Sequence, residues 1–146
     1  MSRLLKSCAL ALAVTSGATA ACAENAPAQQ QVNQHAWGEI GIQELEALIQ
    51  SKTPMQLVDA RTDKWFDGTL IAGAKRLPAD ATEETIAKTL PQKAELVVVY
   101  CGGAQCPASK NLAQRLVDAG YKNVIDYHGG ISEWKANAKP TENISS

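Results

Sequence analysis

An excess of charge of either sign is missing from this chain: 14 Lys and Arg stand against 15 Asp and Glu, a formal net charge of -1. A protein held to nucleic acid by phosphate contacts needs a basic face, so that class is set aside. Cysteine is scarce, and four in 146 residues are too few for a small disulfide scaffold. Long apolar runs are absent as well. The stretch from Cys8 to Val14 falls far short of the roughly 20 residues of a membrane-spanning helix. There is no internal repeat. Neither His35 nor His128 has motif spacing to the cysteines, so a tetrahedral zinc shell is disfavoured. What remains is ordinary: 45% hydrophobic and 20% charged residues, in a length that suits one globular domain.

Arg3 and Lys6 precede a short apolar run, and Ala18-Thr19-Ala20 and Ala21-Cys22-Ala23 both offer small-x-small sites. Residues 1–23 therefore read as a cleaved export signal. A lipid anchor on Cys22 is disfavoured because Thr19 stands where a leucine-like residue is usual. The expected location is periplasmic or otherwise exported. Cleavage after Ala23 leaves Cys101 and Cys106 as the cysteines, in an oxidising compartment. Residues 24–36 read as a polar disordered linker, 37–136 as the ordered domain and 137–146 as a flexible C-terminal tail.

Within 37–136, strands and helices alternate. Ile42, Leu45, Leu48 and Ile49 share one face of a short helix. Met55 to Ala60 and Ala74 to Leu77 read as strands. Thr82 starts a helix that reaches Leu90, before Pro91. Leu96-Val97-Val98-Val99-Tyr100 is continuously apolar and rich in β-branched residues, as a central strand covered on both faces would be. Ser109 is expected to cap a helix in which Leu112, Ala113, Leu116 and Val117 share a face, with Gly120 as its stop. Val124 to Tyr127 is the next strand, Gly129-Gly130 the turn, and Ile131 to Lys135 a last short helix. This order predicts an α/β fold, a mostly parallel central sheet with helices on both faces.

The chemistry is expected in the segment that follows the best strand: Cys101, Gly102, Gly103, Ala104, Gln105, Cys106, Pro107, Ala108 and Ser109. Open α/β sheets bind ligands at the carboxyl ends of their strands. Consecutive amides of a glycine-rich loop can cradle an anion, and a helix N-terminus adds to the field. The same groups are expected to lower the Cys101 thiol pKa, which points to a nucleophile.

These residues also resemble a known family. Val58-Asp59-Ala60-Arg61, Trp65-Phe66, Gly68-Thr69, Gly73-Ala74 and Leu77-Pro78 are similar to the opening signature of rhodanese-like domains. The strand–cysteine–loop–helix segment, Gly120-Tyr121 with Asn123-Val124, and Tyr127, Gly129-Gly130-Ile131 and Trp134 resemble the second signature. The match runs from Ile40 to about Lys135 and looks most like the small single-domain exported sulfurtransferases of the phage-shock type. The resemblance implies that Cys101 takes sulfane sulfur from a small sulfur-containing donor, holds it as a persulfide and passes it to a thiol or cyanide-like acceptor. It implies no metal, nucleotide or organic cofactor, and a monomer. Asp59 and Arg61 would be structural near the site, forming an internal ion pair.

The sequence departs from that pattern in two places. Nothing between residues 102 and 108 is cationic, and Cys106 stands where many members carry an arginine. An anionic donor would then rest on loop amides, Ser109 and Lys110, without a bidentate guanidinium. The fifth residue beyond Cys101 is Cys106 and the sixth is Pro107, so the Cys-x5-Arg clamp of the phosphatase relatives is missing. In the first signature Ala72 replaces a proline, and the segment Gly68 to Ala74 is one residue longer than usual. Two other readings stay open: a thiol redox protein with Cys106 as resolving thiol, and a catalytically weak fold that binds protein or anions.

Overall fold

The structure is a computed structural model that describes residues 36–144. The expected signal segment, 1–23, and all of the expected linker except Ala36 lie outside the described residues. Five parallel strands form the main sheet: β1 (Gly38–Ile40), β2 (Met55–Asp59), β4 (Lys75–Arg76), β5 (Leu96–Tyr100) and β6 (Asn123–Tyr127). Their order is β1-β6-β5-β2-β4, which places β5 at the centre. The register pairs Asp59 with Tyr100 and Tyr100 with Tyr127, so the strands end together at one carboxyl edge.

Side chains alternate along a strand, and β5 shows what that does here. Val97 and Val99 face the cluster that contains Leu112, Ala113 and Leu116 of α3 (Ala108–Asp118) and Ile86 of α2 (Glu83–Thr89). Val98 and Tyr100 face the cluster built from Leu45 of α1 (Ile42–Gln50) and Ile131 and Trp134 of α4 (Gly130–Ala136). All three valines are fully buried, which stabilises the fold by about 1.5–3 kcal/mol per side chain. The expected mostly parallel α/β sheet with helices on both faces is the observed one.

Two local expectations are corrected. The segment from residue 137, expected as a flexible tail, contains β7 (Thr141–Asn143), which pairs antiparallel with β3 (Thr69–Ile71). Ala72 N–H and Trp134 Nε1 both donate to the carbonyl of Pro140, which fixes the approach to this strand. The other correction is at α3. Pro107 is the N-cap, and Ser109 lies inside the first turn, buried on the same face as Leu112 and Ala113. No helix of the described residues is long and apolar enough to cross a membrane.

Candidate active site

Cys101 is the first residue beyond β5, at the carboxyl edge of the sheet, and is 1% exposed. Residues 102–107 arch over it into α3. The arch is held from below, since Ile131 N–H donates to the carbonyl of Cys101 at 2.9 Å and Ser132 N–H to that of Gly102 at 3.0 Å. Cys106 N–H closes a turn on the carbonyl of Gly103 at 2.9 Å. Gly130 makes this docking possible. Its φ is +62, and a Cβ there would lie 2.6 Å from Gly103 N and 2.8 Å from Gly102 C. Only glycine tolerates both the backbone angle and the approach.

The thiol lies among carbonyls as well as amides. Cys101 Sγ donates to the carbonyl of Cys106 at 3.2 Å and to that of Gly103 at 3.7 Å. Ser109 Oγ donates to the sulfur at 3.6 Å. Burial pushes the Cys101 thiol up and the Cys106 side chain adds to the rise, against the Gly103 N–H and the Ser109 hydroxyl and N–H. The expected lowering of this pKa is thus overturned for the loop as it stands: burial outweighs the amides. Cys101 and Cys106 are both free thiols.

A cleft of about 710 Å³ opens outside the loop. Gly102, Gly103, Ala104, Gln105 and Cys106 form one wall, Arg61, Trp65 and Asp67 another, and Ile131, Ser132 and Lys135 a third. Arg61 is 4% exposed, and its guanidinium faces inward. It donates to Asp59 from Nε at 3.0 Å and from Nη2 at 2.7 Å, to Asp67 from Nη1 at 3.0 Å, and to the carbonyl of Thr69. Asp59 and Arg61 therefore form an internal ion pair that also ties β2 to the segment before β3. Asp67 accepts in addition from Thr69 N–H and from Lys135 Nζ at 2.8 Å. Burial by itself would raise the Asp67 carboxyl, but Lys135, the Thr69 N–H and Arg61 together hold it well below the usual carboxylate range.

The structure thus brings together Cys101, the loop 102–106, Ser109 and the Asp59–Arg61 pair. Lys110 does not join them: its ammonium pairs with Glu39 of β1 at 3.1 Å, outside the cleft lining. The physical reason is the turn of α3, which points Ser109 inward and its neighbour outward. His128 is exposed. Sequence reasoning missed Asp67, Ser132 and Lys135. Gly130 was seen as a turn residue, and its close approach to Gly102 and Gly103 is what ties it to the loop.

Comparison with known proteins fits this geometry. The family described as Rhodanese-like domain matches residues 42–137. The thiosulfate sulfurtransferase GlpE of Coxiella burnetii is 32% identical over 97 residues, which cover 66% of this chain and 87% of the relative. Among solved structures, the BH2092 protein from Bacillus halodurans superposes with a TM-score of 0.65 at 24% identity, covering 73% of this chain and 77% of the other. A rhodanese with anions from E. coli superposes with a TM-score of 0.50 at 27% identity, over 62% of this chain and 99% of the other.

Proposed function

The chain belongs to the rhodanese-like domain family, and from that membership we propose that it carries sulfane sulfur as a persulfide on Cys101 and passes it to a nucleophilic acceptor. Sulfurtransferase activity at the level of the family is supported by this membership and by the Coxiella relative. The observation that carries the assignment to Cys101 is its place: at the end of the central strand, beneath a glycine-rich arch, with Ser109 Oγ donating to its sulfur.

The transfer has two displacements. The Cys101 thiolate attacks the outer sulfur of a donor such as thiosulfate, forming an S–S bond while the donor's own S–S bond breaks and sulfite leaves with the electron pair. An acceptor thiolate or cyanide-like nucleophile then attacks the outer sulfur of the persulfide, and Cys101 leaves as thiolate. Negative charge develops on the Cys101 sulfur and on its persulfide, where the Gly103 and Ser109 N–H groups and the Ser109 hydroxyl stabilise it. Thiosulfate is the first donor to test, as the relative's name suggests. The cations that line the cleft with the loop, Arg61 and Lys135, are both engaged by Asp67, so the donor's charge falls mainly to backbone N–H groups.

Intact mass before and after exposure to thiosulfate or polysulfide tests the assignment. The parent should gain about 32 Da, one sulfur, and Cys101→Ser should gain none and transfer none. A Cys101→Ser protein that transferred sulfur as well as the parent would overturn it. We also propose export, with cleavage after Ala23 or, as second choice, Ala20. Protein recovered outside the cytoplasm should begin at Glu24 or Ala21, and retention of Met1 to Cys22 would refute the proposal.

A further inference from the structure

Asp126 carries a carboxyl into the interior without a partner to hold it. It lies on β6 and is fully buried. Neither of its oxygens has a hydrogen-bond partner among the described residues. A buried carboxylate in that position is costly, and a native fold that keeps one calls for an explanation.

Its surroundings point to the thiol. Alternation along β6 puts Asp126 on the α3 side of the sheet with Val124. The register sets it beside Val99 of β5 and Glu39 of β1. Over that face lies the first turn of α3, where buried Ser109 donates its hydroxyl to Cys101 Sγ at 3.6 Å. Lys110, the next residue, reaches Glu39 at 3.1 Å and forms an ion pair at the edge of the same face. Exposed His128 follows at the end of the strand. Ser109, Lys110, Glu39 and His128 all act electrostatically on the carboxyl, and Ser109 in turn touches Cys101.

We infer that Asp126 and Cys101 compete for one proton donor, the Ser109 hydroxyl, so that the buried carboxyl governs how readily the thiol ionises. Ser109 has a single hydroxyl proton. While Asp126 is protonated, the Ser109 hydroxyl stays directed at the sulfur and its hydrogen bond stabilises the thiolate. When Asp126 ionises, it draws the hydroxyl toward itself and adds negative charge behind the sulfur. Both effects hold Cys101 as the thiol, and the two groups titrate as a coupled pair. The electrostatics of the carboxyl agree. Burial raises it above the ordinary range and Glu39 adds to the rise, while the Ser109 hydroxyl, Lys110 and His128 act the other way. Asp126 is on this account a positioning residue, one that reaches the reacting sulfur only through Ser109.

The inference rests on Cys101 as the sulfur carrier only for its consequence in catalysis. Its test reads the thiol directly, so a failure of sulfur transfer and a failure of the coupling give different results. Iodoacetamide alkylation of Cys101 is followed by peptide mass against pH in the parent, Asp126→Asn, Ser109→Ala and the double variant. Asp126→Asn should lower the apparent thiol pKa by about one unit, giving about tenfold more thiolate at a pH below both values. Ser109→Ala should raise it, and should at least halve the shift that Asp126→Asn produces. A thiol titration unchanged in Asp126→Asn, or a shift that survives undiminished in the Ser109→Ala background, would overturn the inference. Should Asp126→Asn fail to fold, infrared difference spectra of the parent and Ser109→Ala read the carboxylic C=O band of Asp126 against pH. Its midpoint must rise when Ser109 is removed, and an unmoved midpoint is equally decisive against the idea.

Discussion

A Cβ on Gly130 would lie 2.5 Å from the carbonyl oxygen of Cys101. The atoms in the way are backbone, which cannot swing aside as a side chain does. Gly130→Ala should therefore push the arch off α4, break the hydrogen bonds from Ile131 and Ser132, and cost on the order of 2 kcal/mol or more. Urea denaturation reads the stability, and sulfur transfer from thiosulfate should fall along with it. An alanine variant of parental stability and activity would show that the arch does not depend on this contact.

Arg61 holds Asp59 in a fully buried ion pair. Arg61→Ala strands a carboxylate in the interior, and a loss of about 3–5 kcal/mol is expected. Arg61→Lys keeps the charge but cannot reproduce the fork to Asp59, Asp67 and the Thr69 carbonyl, so its stability should lie between the two. Urea titration of the three proteins gives the order directly. A lysine variant as stable as the parent would mean that charge alone matters here.

Asp67 links two cations at the rim of the cleft, and it should show in the acid limb of the stability curve. Its folded pKa is depressed. Such a group stabilises the fold above its unfolded value, about 3.9, and that contribution is lost as the pH falls through the folded value. Asp67→Asn should therefore be less stable than the parent at neutral pH, and the gap should close below about pH 4. The gap is modest because the carboxyl is half exposed and screened. The same change releases Lys135 and removes a negative charge from the cleft. KM for thiosulfate should fall by about threefold, the size of one screened surface charge. A KM that rises would show that Lys135 needs Asp67 to face the donor.

Cys106 sits beside the thiol it would resolve, both sulfurs being free. Attack of Cys106 on the Cys101 persulfide would form the Cys101–Cys106 disulfide and expel the outer sulfur as sulfide, ending the cycle. Peptide mapping without reductant should find this link after polysulfide treatment, and Cys106→Ser should keep its persulfide longer than the parent. Two alkylatable thiols and no linked peptide would remove Cys106 from the mechanism.

The sheet centre was legible in the sequence, for plain reasons. Val97, Val98 and Val99 are buried on both faces and so have no polar alternation to confuse the reading. The edges were not legible. Thr141, Glu142 and Asn143 are all exposed, and what makes them a strand is a partner segment 74 residues away, with Thr69 bonded to Asn143. The loop was found from its cysteine and glycines, and the Asp59–Arg61 pair from the family signature, while Asp67 and Lys135 were missed for the same reason as β7. Asp67 and Lys135 lie 68 residues apart, and no local pattern signals their pairing. Ser109 was seen as important for the wrong reason. A hydroxyl near a helix start reads as a cap, but Pro107 takes that place and leaves the hydroxyl free to turn toward the sulfur.

The short β3–β7 ladder has a bearing on how the molecule breathes. It consists of three paired positions whose β7 side chains are all exposed, so its amides should exchange with solvent through local fraying, far below the free energy of global unfolding. The amides of β5 should exchange only when the whole domain opens. Asp67 lies next to this ladder, whereas Cys101 is joined directly to β5. The rim of the cleft can therefore yield locally while Cys101 beneath it stays fixed.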